Sequence, residues 1–425
     1  MTSLSPLLKQ ATPLVVDHAL GSWIHATDGK AYLDFTTGIG VTSTGHCHPR
    51  VVEAAREQVG KIIHAQYTTV MHQPLLALTE KLGEVLPPGL DSVFYANSGS
   101  EAVEAAIRLA RMATGRPNIV VFQGGFHGRT VAAASLTTAG TRFSAGFAPL
   151  MAGVHMSAFP YAYRYGWDET STVAFALKEL DYLLQTRSAP NDTAAFLIEP
   201  ALGDGGYLPT PPAFLEGLRE RADRYGIQLI FDEVQAGVGR MGKFWGHQYS
   251  TATPDIIVTA KGIASGFPIS AIAASTATMA KGWPGSQGGT YGGNAVSAAA
   301  GVATLDVVRD EGLVENSRIR GEQLQAGLKD LQARFPVIGD VRGRGLMQGI
   351  EFTAGDGTPD SETAAAVQQA TTSHGLLTLT CGPSGNVIRL IPALVVAEEE
   401  ISAGLERFEA ALCTVLGAVP ATTGS

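Results

Sequence analysis

The sequence predicts an α/β protein in which helices cover a mostly parallel sheet. From about Gln73 onward, apolar runs of strand length alternate with segments whose apolar residues recur at helical spacing. These runs are apolar nearly throughout, which is typical of parallel strands that are buried on both faces. The chain has 425 residues, of which 45% are hydrophobic and 16% charged, so a large core and two domains are possible.

The N-terminal segment, residues 1–65, contains short strand signals. Two runs, 22–25 and 31–35, flank a turn at Asp28 and Gly29. We expect this segment to pack with a smaller domain that the C-terminal part of the chain forms.

Residues 66–312 are predicted to form the large domain. Helical spacing within 101–110, and leucines within a run from Pro212 to Tyr225, predict two of its helices. Its strands are predicted at 118–122, 193–199, 227–231 and 255–259. Because ligands bind at the carboxyl ends of parallel strands, polar residues that follow these runs are candidates for a site.

Residues 313–425 are predicted to form a smaller α/β domain. Helices resume near Asn294, and a break at Phe335 and Pro336 leads into a mixed segment. Its strands are predicted within 340–352, 376–380 and 387–391, and its helices around 361–374 and from Glu398 onward. The tail from Pro420 to Ser425 is predicted to be disordered.

The bulk composition excludes several classes of protein. A net charge of −9 argues against general nucleic-acid binding. The three scattered cysteines do not suit a disulfide framework and fit a reducing cytosol. The first residues lack the pattern of a signal peptide, and no run reaches the roughly 18 apolar residues of a membrane span. We therefore expect a cytoplasmic protein without a membrane partner.

Lys261 and Asp232 give the most specific chemical prediction. Lys261 ends a buried strand, where lost hydration disfavours its ammonium form and makes its amine a better nucleophile. Asp232 ends another buried strand upstream. Pyridoxal phosphate needs a lysine that bonds its aldehyde and a carboxylate that keeps its ring nitrogen protonated. The two residues together therefore predict a pyridoxal-phosphate site.

Two further segments suit the same cofactor. Gly99 and Ser100 open a helix whose free amides are able to hold a phosphate. Taken alone this motif is better explained as an ordinary N-cap, but beside Asp232 and Lys261 phosphate binding is favoured. In the loop 124–130, Phe126 is able to stack on a flat ring and Arg129 to grip a carboxylate. The alternative for this loop is an exposed turn with a solvated arginine.

Two more loops are compatible with the site. The loop 199–206 contains Glu199, Asp204 and several glycines, which suits either a ligand or a plain turn with exposed acids. The glycine loop 288–294 contains Thr290, which is able to donate to a phosphate.

Two motifs are set aside. The glycines of 237–242 have the spacing of a dinucleotide fingerprint, but residues 232–235 separate them from the strand and no βαβ unit surrounds them. His46, Cys47 and His48 have no second cluster at ligand spacing, so a turn closed by Pro49 is favoured over a metal site.

Together the motifs resemble those of the class III aminotransferases, which are fold-type I pyridoxal-phosphate enzymes. They are Ser98–Ala102, Phe126–Arg129, Asp232–Gln235, Lys261 with its glycine loop, and Gly289–Asn294. The resemblance extends from about Gly21 to the last helix and implies a mostly parallel, seven-stranded sheet in the large domain. Within this class, residues 380–389 resemble the C-terminal signature of bacterial 4-aminobutyrate transaminases.

The resemblance implies a role for each matching residue. Lys261 would bond the cofactor and later move a proton, Asp232 would pair with the ring nitrogen, and Glu199 would sit over the reacting centre. The implied cofactor contacts are Gly99 and Ser100 at the phosphate, Phe126 and Val234 on the two ring faces, His127 beside Phe126, Gln235 at the ring hydroxyl, and Thr290 at the phosphate from a partner subunit. The implied substrate contacts are Ile39, Arg129, Glu199, Asp204 and Arg389. An active site to which both subunits contribute requires a homodimer. The resemblance does not decide whether dimers pair into tetramers.

The implied reaction is transamination of 4-aminobutyrate with 2-oxoglutarate, giving succinate semialdehyde and glutamate. The carboxylate of 4-aminobutyrate and the distal carboxylate of glutamate lie equally far from the carbon that carries the nitrogen, so Arg129 would bind either of them. Arg389 would bind the α-carboxylate of glutamate. Asp204 would neutralise Arg389 in the other half-reaction. The donors 5-aminovalerate, β-alanine and N-acetylornithine stay open. Outside the class, the alternatives are a nicotinamide-dependent oxidoreductase and a non-catalytic ligand-binding protein.

The sequence departs from the family pattern at three positions. Asp204 stands where glutamate is usual and is shorter by one methylene. Phe126 stands where relatives often have tyrosine, so stacking is kept and a hydroxyl is lost. Ser265 replaces a common glycine in the loop after Lys261.

Overall fold

A seven-stranded sheet forms the centre of the protein. The computed structural model describes residues 4–417, so the tail predicted to be disordered lies outside the described residues. In spatial order the strands are Ser92–Ala96, Ser270–Ala274, Ile256–Thr259, Gln228–Asp232, Thr193–Ile198, Asn118–Phe122 and Val154–Ser157. Only Ser270–Ala274 runs antiparallel to its neighbours in this sheet. The predicted mostly parallel sheet is therefore confirmed.

Three smaller sheets surround it. An antiparallel sheet contains, in order, Ile338–Arg344, Met347–Phe352, Val387–Leu390 and Leu379–Cys381. A second contains Val16–Leu20, Trp23–Ala26, Ala31–Asp34 and Leu376–Leu377, and its last pair is parallel. A short hairpin joins Ala201–Leu202 to Leu208–Pro209. The second sheet thus joins the N-terminal segment to the C-terminal part, while the limits 1–65, 66–312 and 313–425 stay predictions.

Helices cover both faces of the central sheet, and further helices lie in the N-terminal and C-terminal parts of the chain. The α-helices are Pro49–Val59, Gln73–Gly83, Gly99–Thr114, Val131–Leu136, Ala162–Tyr165, Glu169–Thr186, Pro212–Tyr225, Thr276–Met279, Ala295–Asp310, Leu313–Arg334, Ser361–Ser373 and Glu398–Leu416, and Thr37–Gly40 forms a single left-handed turn. Short 3-10 turns are Thr141–Phe143, Pro190–Asp192, Gly246–Tyr249 and Lys261–Ile263. None of the described helices is long and apolar enough to cross a membrane.

The central helix Gly99–Thr114 shows why these residues adopt this structure. The Ser98 hydroxyl accepts from the Glu101 amide and caps the first turn, and Gly115 ends the helix in the left-handed region at φ 69°. Alanines and Val103 form its buried face, so the helix packs closely on the sheet. Its N-terminus points at the carboxyl edge of the sheet, where the polar loops converge.

The predicted elements differ from the observed ones mainly at their ends. The segment 340–352 forms two strands joined by a tight turn at Gly345, whose φ is 52°. The run 376–380 is divided between two sheets. The edge strand Val16–Leu20 was not predicted, because it is mostly exposed and contains Asp17 and His18.

Candidate active site

A cavity of about 290 Å³ lies at the carboxyl edge of the central sheet. Its wall combines strand ends, the N-terminus of the helix Gly99–Thr114, and the loop after Lys261. Of the residues that the sequence predicts for the site, the cavity wall includes Gly99, Ser100, Phe126, His127, Glu199, Asp204, Asp232, Val234, Gln235 and Lys261. Residues distant in sequence therefore meet at one place, as expected for the ends of parallel strands.

Lys261 lies two residues beyond the strand Ile256–Thr259 and opens a 3-10 turn. Its backbone adopts φ 46°, an unfavourable conformation for a residue with a side chain, which the surrounding turn must maintain. Burial lowers the pKa of the lysine from 10.5 to about 8, although the nearby Asp204 carboxylate acts in the opposite direction. At pH 7 roughly one amine in ten is therefore neutral, against fewer than about one in a thousand at the ordinary lysine pKa, and the neutral form is the nucleophile.

Asp232 is the last residue of its strand and is almost fully buried. One carboxylate oxygen accepts from His127 Nδ1 at 2.8 Å, and the other accepts from the Val234 amide at 3.2 Å. The His127 amide in turn donates to the Thr137 hydroxyl at 2.9 Å. A buried carboxylate that is held on two sides presents a fixed negative charge to the cavity.

Glu199 joins the two loops that flank the cavity. Its carboxyl oxygens accept from the Phe126 amide at 2.8 Å and from the Gly203 amide at 2.9 Å. Burial raises the pKa of Glu199 well above its usual value, and the charge of Asp232 adds to this effect. The structure thus gives this residue a clamping function that the sequence did not reveal.

The start of the helix at Gly99 is compatible with both alternatives from the sequence, an N-cap and a phosphate site. Ser98 is an ordinary N-cap, while Gly99 and Ser100 face the cavity. The Ser100 hydroxyl accepts from the Arg129 amide at 3.1 Å. Gly128, at φ 126°, packs against this serine, and a Cβ there would lie only 2.3 Å from its Oγ. Glycine is therefore required for the close approach of the two loops.

Arg389 and Asp204 form an ion pair beside the cavity. Arg389 Nη1 lies 3.3 Å from Asp204 Oδ1, and the arginine side chain is almost fully buried. The Asp204 carbonyl also accepts from the Gly382 amide at 2.8 Å, which anchors the loop. Asp204 therefore reaches Arg389 although aspartate is shorter than the usual glutamate. The contact is longer than the roughly 2.7–2.9 Å typical of charge-assisted hydrogen bonds.

Apart from Arg389, which pairs with Asp204 beside the cavity, three predicted residues do not line it. Arg129 is exposed and its guanidinium lies 5.0 Å from the centre of the Phe143 ring, which packs edge-on against Phe126. Thr290 lies on an exposed loop of its own chain. Ile39 is 44% exposed and belongs to a turn in which all four residues, 37–40, have positive φ. Contacts with the substrate at these positions stay predictions.

Sequence reasoning missed several residues of the wall. Val41, Asn97, Val103, Phe267, Pro268 and Ile269 also line the cavity. Ser265 accepts from the Thr44 amide at 3.0 Å, and the two hydroxyls are 2.7 Å apart. This contact ties the loop after Lys261 to the N-terminal segment. The departure from glycine at Ser265 was a signal that could have indicated such a contact.

The residues of the two motifs set aside contact other parts of the protein. Residues 237–242 form a loop of turns with buried glycines that pack against Trp245, Leu394 and Arg318, and no helix follows them directly. His46 pairs with Asp34 at 2.8 Å and His48 with Glu311 at 3.1 Å. Within residues 4–417, no group of three side chains is arranged to hold a metal ion.

The cavity fits pyridoxal phosphate. It presents an amine at Lys261, a fixed carboxylate at Asp232, and a helix N-terminus for the phosphate. Phe126 and Val234 supply apolar surface for a flat ring. Within residues 4–417, the buried Gln235 Oε1 has no hydrogen-bond partner, so this oxygen is available to accept from a ligand. The donors and acceptors therefore match the groups that this cofactor carries.

Known proteins show the same architecture. Residues 7–412 match the family model described as aminotransferase class-III. The chain is 37% identical to the 5-aminovalerate aminotransferase DavT of Pseudomonas putida, covering 94% of this chain and 93% of the relative. It is 36% identical to the 4-aminobutyrate aminotransferase GabT of Escherichia coli, covering 93% of each chain. A 2-aminoadipate transaminase of Pseudomonas putida is also 36% identical, over 96% of this chain and 98% of the relative.

A solved structure extends this likeness. An amine transaminase from an uncultivated Pseudomonas species, in its pyridoxal-phosphate-bound form, superposes with a TM-score of 0.91 at 28% identity and covers 98% of this chain and 99% of that one. The protein thus has the fold of the type I pyridoxal-phosphate transaminases, and its cofactor is pyridoxal phosphate. With its motifs, fold and cavity in agreement, the chain belongs to the class III aminotransferases.

Proposed function

We propose that this aminotransferase moves the amino group of 4-aminobutyrate to 2-oxoglutarate and forms succinate semialdehyde and glutamate. The Arg389–Asp204 pair at 3.3 Å carries this proposal. One site must accept a donor with a single carboxylate and an acceptor with two. A buried arginine that Asp204 neutralises suits the donor, and the same arginine, released from Asp204, suits the second carboxylate of the acceptor.

The residues of the cavity wall each have a task in this scheme. Bound pyridoxal phosphate supplies the aldehyde that carries the amino group and a ring that withdraws electrons from the reacting carbon. The Lys261 amine moves the proton between the two carbons that exchange it. Asp232, held by His127, keeps a negative charge at the ring nitrogen. Glu199 fixes the loops on either side of the reaction.

The substrate contacts extend beyond the described cavity. Arg129 would bind the distal carboxylate, and Ile39 would line the route to it. Thr290 would reach the phosphate of a second subunit from its exposed loop. The exposure of all three residues is compatible with a site that a homodimer completes.

We expect purified protein to form glutamate when it is supplied with 4-aminobutyrate and 2-oxoglutarate. Because the first product leaves before the acceptor binds, double-reciprocal plots at several fixed acceptor concentrations should be parallel. A coupled glutamate assay measures both. Intersecting lines would contradict the two-step scheme, and the absence of glutamate would contradict the proposed acceptor or donor.

The second candidate donor is 5-aminovalerate. It is favoured by the 37% identity to an aminotransferase named for that substrate, against 36% for the 4-aminobutyrate enzyme. The two donors differ by one methylene, which is worth about 1–3 kcal/mol of discrimination in an apolar pocket. A panel of 4-aminobutyrate, 5-aminovalerate, β-alanine and N-acetylornithine, compared by kcat/KM with 2-oxoglutarate, decides between them.

We expect the rate of covalent attachment of pyridoxal phosphate to the cofactor-free protein to rise with pH, to reach half its maximum near pH 8 and to level off about one pH unit higher. The neutral amine is the attacking form, and the pKa of Lys261 is lowered to about 8, so the reactive fraction saturates above that pH. Stopped-flow absorbance after mixing protein and cofactor measures the rate. A rate that keeps rising towards the ordinary lysine pKa of 10.5 would contradict the lowered value.

A further inference from the structure

In the described part of the chain, three buried polar groups at or near the Arg389–Asp204 pair have no hydrogen-bond partner of full geometry. They are the Tyr207 hydroxyl, Arg389 Nε and Arg240 Nη2. Tyr207 is 0% exposed, and the guanidinium carbon of Arg389 lies 6.0 Å from the centre of its ring. A buried polar group without a partner costs roughly 1–3 kcal/mol, so three of them together suggest a function.

The charges around Tyr207 are unbalanced. Arg240 is 1% exposed and donates to the carbonyls of Leu346 and Pro392, but it has no acidic partner within residues 4–417. Within residues 4–417, Asp204 is the only acidic side chain that pairs with Arg389. Both guanidinium charges act on the Tyr207 hydroxyl, and burial raises the pKa of this tyrosine, so it stays neutral. Its oxygen is therefore available as an acceptor between two cations.

The loop that carries Asp204 also fixes Tyr207. The Tyr207 amide donates to the Gly203 carbonyl at 3.3 Å, and its backbone adopts φ 54°. The preceding carbonyl, of Gly206, accepts from Arg342 Nε at 2.9 Å. The ring therefore cannot move away independently of Asp204. Arg389 faces a carboxylate and a phenol hydroxyl that one short loop holds in place.

We propose that Tyr207 is a positioning residue that holds Arg389 in place for a carboxylate next to the reacting carbon. Its hydroxyl accepts from Arg389 when the guanidinium leaves Asp204, whose 3.3 Å contact is already long. The inference rests on the proposed function insofar as Arg389 binds the second carboxylate of the acceptor. Tyr207 should therefore strengthen the binding of dicarboxylates and have no effect on the binding of monocarboxylates.

The Tyr207→Phe variant tests this inference with two ligands that cannot react. Glutarate carries both carboxylates of 2-oxoglutarate, and butyrate carries only the one of 4-aminobutyrate. In calorimetric titrations of the cofactor-loaded enzyme, we expect the Kd of glutarate to rise about tenfold, the effect of one hydrogen bond to a charged group. The Kd of butyrate should not change. The KM for 2-oxoglutarate should rise likewise, while the rate of the donor half-reaction is kept.

A matched control separates positioning from a general loss of structure. Tyr32 is also buried, but its hydroxyl donates to Asp28 at 2.9 Å in the N-terminal hairpin, so Tyr32→Phe should leave both ligands unaffected. Tyr207→Phe should lower the melting temperature little, because the ring is kept and, among residues 4–417, its hydroxyl makes no hydrogen bond of full geometry. Unchanged glutarate binding, or an equal loss for both ligands, overturns the inference.

The outcome does not depend on the glutamate assay. If wild-type protein forms no glutamate but binds glutarate more tightly than butyrate, the proposed substrates fail, and a selective loss in Tyr207→Phe still supports the inference. If wild-type protein binds glutarate no more tightly than butyrate, Arg389 does not bind a second carboxylate and the inference is overturned.

Discussion

We expect Lys261→Ala to abolish turnover, with kcat reduced roughly ten-thousand-fold or more, because one substitution removes both the amine that bonds the cofactor and the group that moves the proton. No other lysine lines the cavity in the part of the chain that the structure describes. The rate of glutamate formation measures the loss. The absorbance spectrum of the purified variant should also lack the band of lysine-bound cofactor.

A control variant makes this result specific. Lys178 lies exposed on the helix Glu169–Thr186, far along the chain from the cavity loops, and Lys178→Ala should keep both the rate and the absorbance band. Borohydride reduction should fix the cofactor to the wild type and to Lys178→Ala but not to Lys261→Ala. A persistent band that responds to borohydride in Lys261→Ala would show that another residue holds the cofactor.

The position of this lysine could be predicted because its determinants are local in sequence. A buried strand and a polar residue immediately after it were enough to place Lys261, Asp232 and Glu199 at one edge of the sheet. The same reasoning located the glycine-opened helix at Gly99. The structure shows the cap at Ser98 and places Gly99 and Ser100 on the cavity wall, while phosphate binding by these residues stays a prediction.

Other features of the site depend on distances between segments that are far apart in sequence. The reach of Asp204 to Arg389 could not be judged from a missing methylene, because the loop that carries Asp204 sets the distance. Tyr207 gave no signal at all, since a tyrosine after two glycines is an ordinary turn until its hydroxyl is found without a partner. Ser265 gave a signal, but its partner Thr44 lies 221 residues away.

The backbone conformation of the turn at Ile39 was also beyond sequence reasoning. Four consecutive residues with positive φ include Thr37 and Ile39, which local preference disfavours strongly. The turn is held from outside: Asp34 accepts from the Thr36 and Thr37 amides, and the Thr37 hydroxyl donates to the Ile391 carbonyl at 2.8 Å. Tertiary contacts therefore override the local preference at a place next to the cavity.

The second large effect is expected for Asp232→Asn. We expect kcat to fall about a hundredfold to a thousandfold, the usual loss when one preorganised electrostatic contact is removed. The amide keeps the shape of the side chain and still accepts from the Val234 amide, but it no longer balances a protonated ring nitrogen. Lys261 and the helix start at Gly99 are unchanged, so the cofactor should stay bound through dialysis.

Two further observations make the Asp232→Asn result diagnostic. The charge of Asp232 contributes to the raised pKa of Glu199, so the pKa of this carboxyl should fall in the variant and any limb of the pH–rate profile that belongs to it should move to lower pH. Asp255 lies at the opposite end of the adjacent strand, where it pairs with Arg219 at 2.8 Å, and Asp255→Asn should cost stability while kcat is kept. Near-normal turnover in Asp232→Asn would reject its role at the ring nitrogen. Equal losses of kcat in Asp232→Asn and Asp255→Asn would show that Asp232 stabilises the sheet, as Asp255 does at the other end, without acting on the reaction.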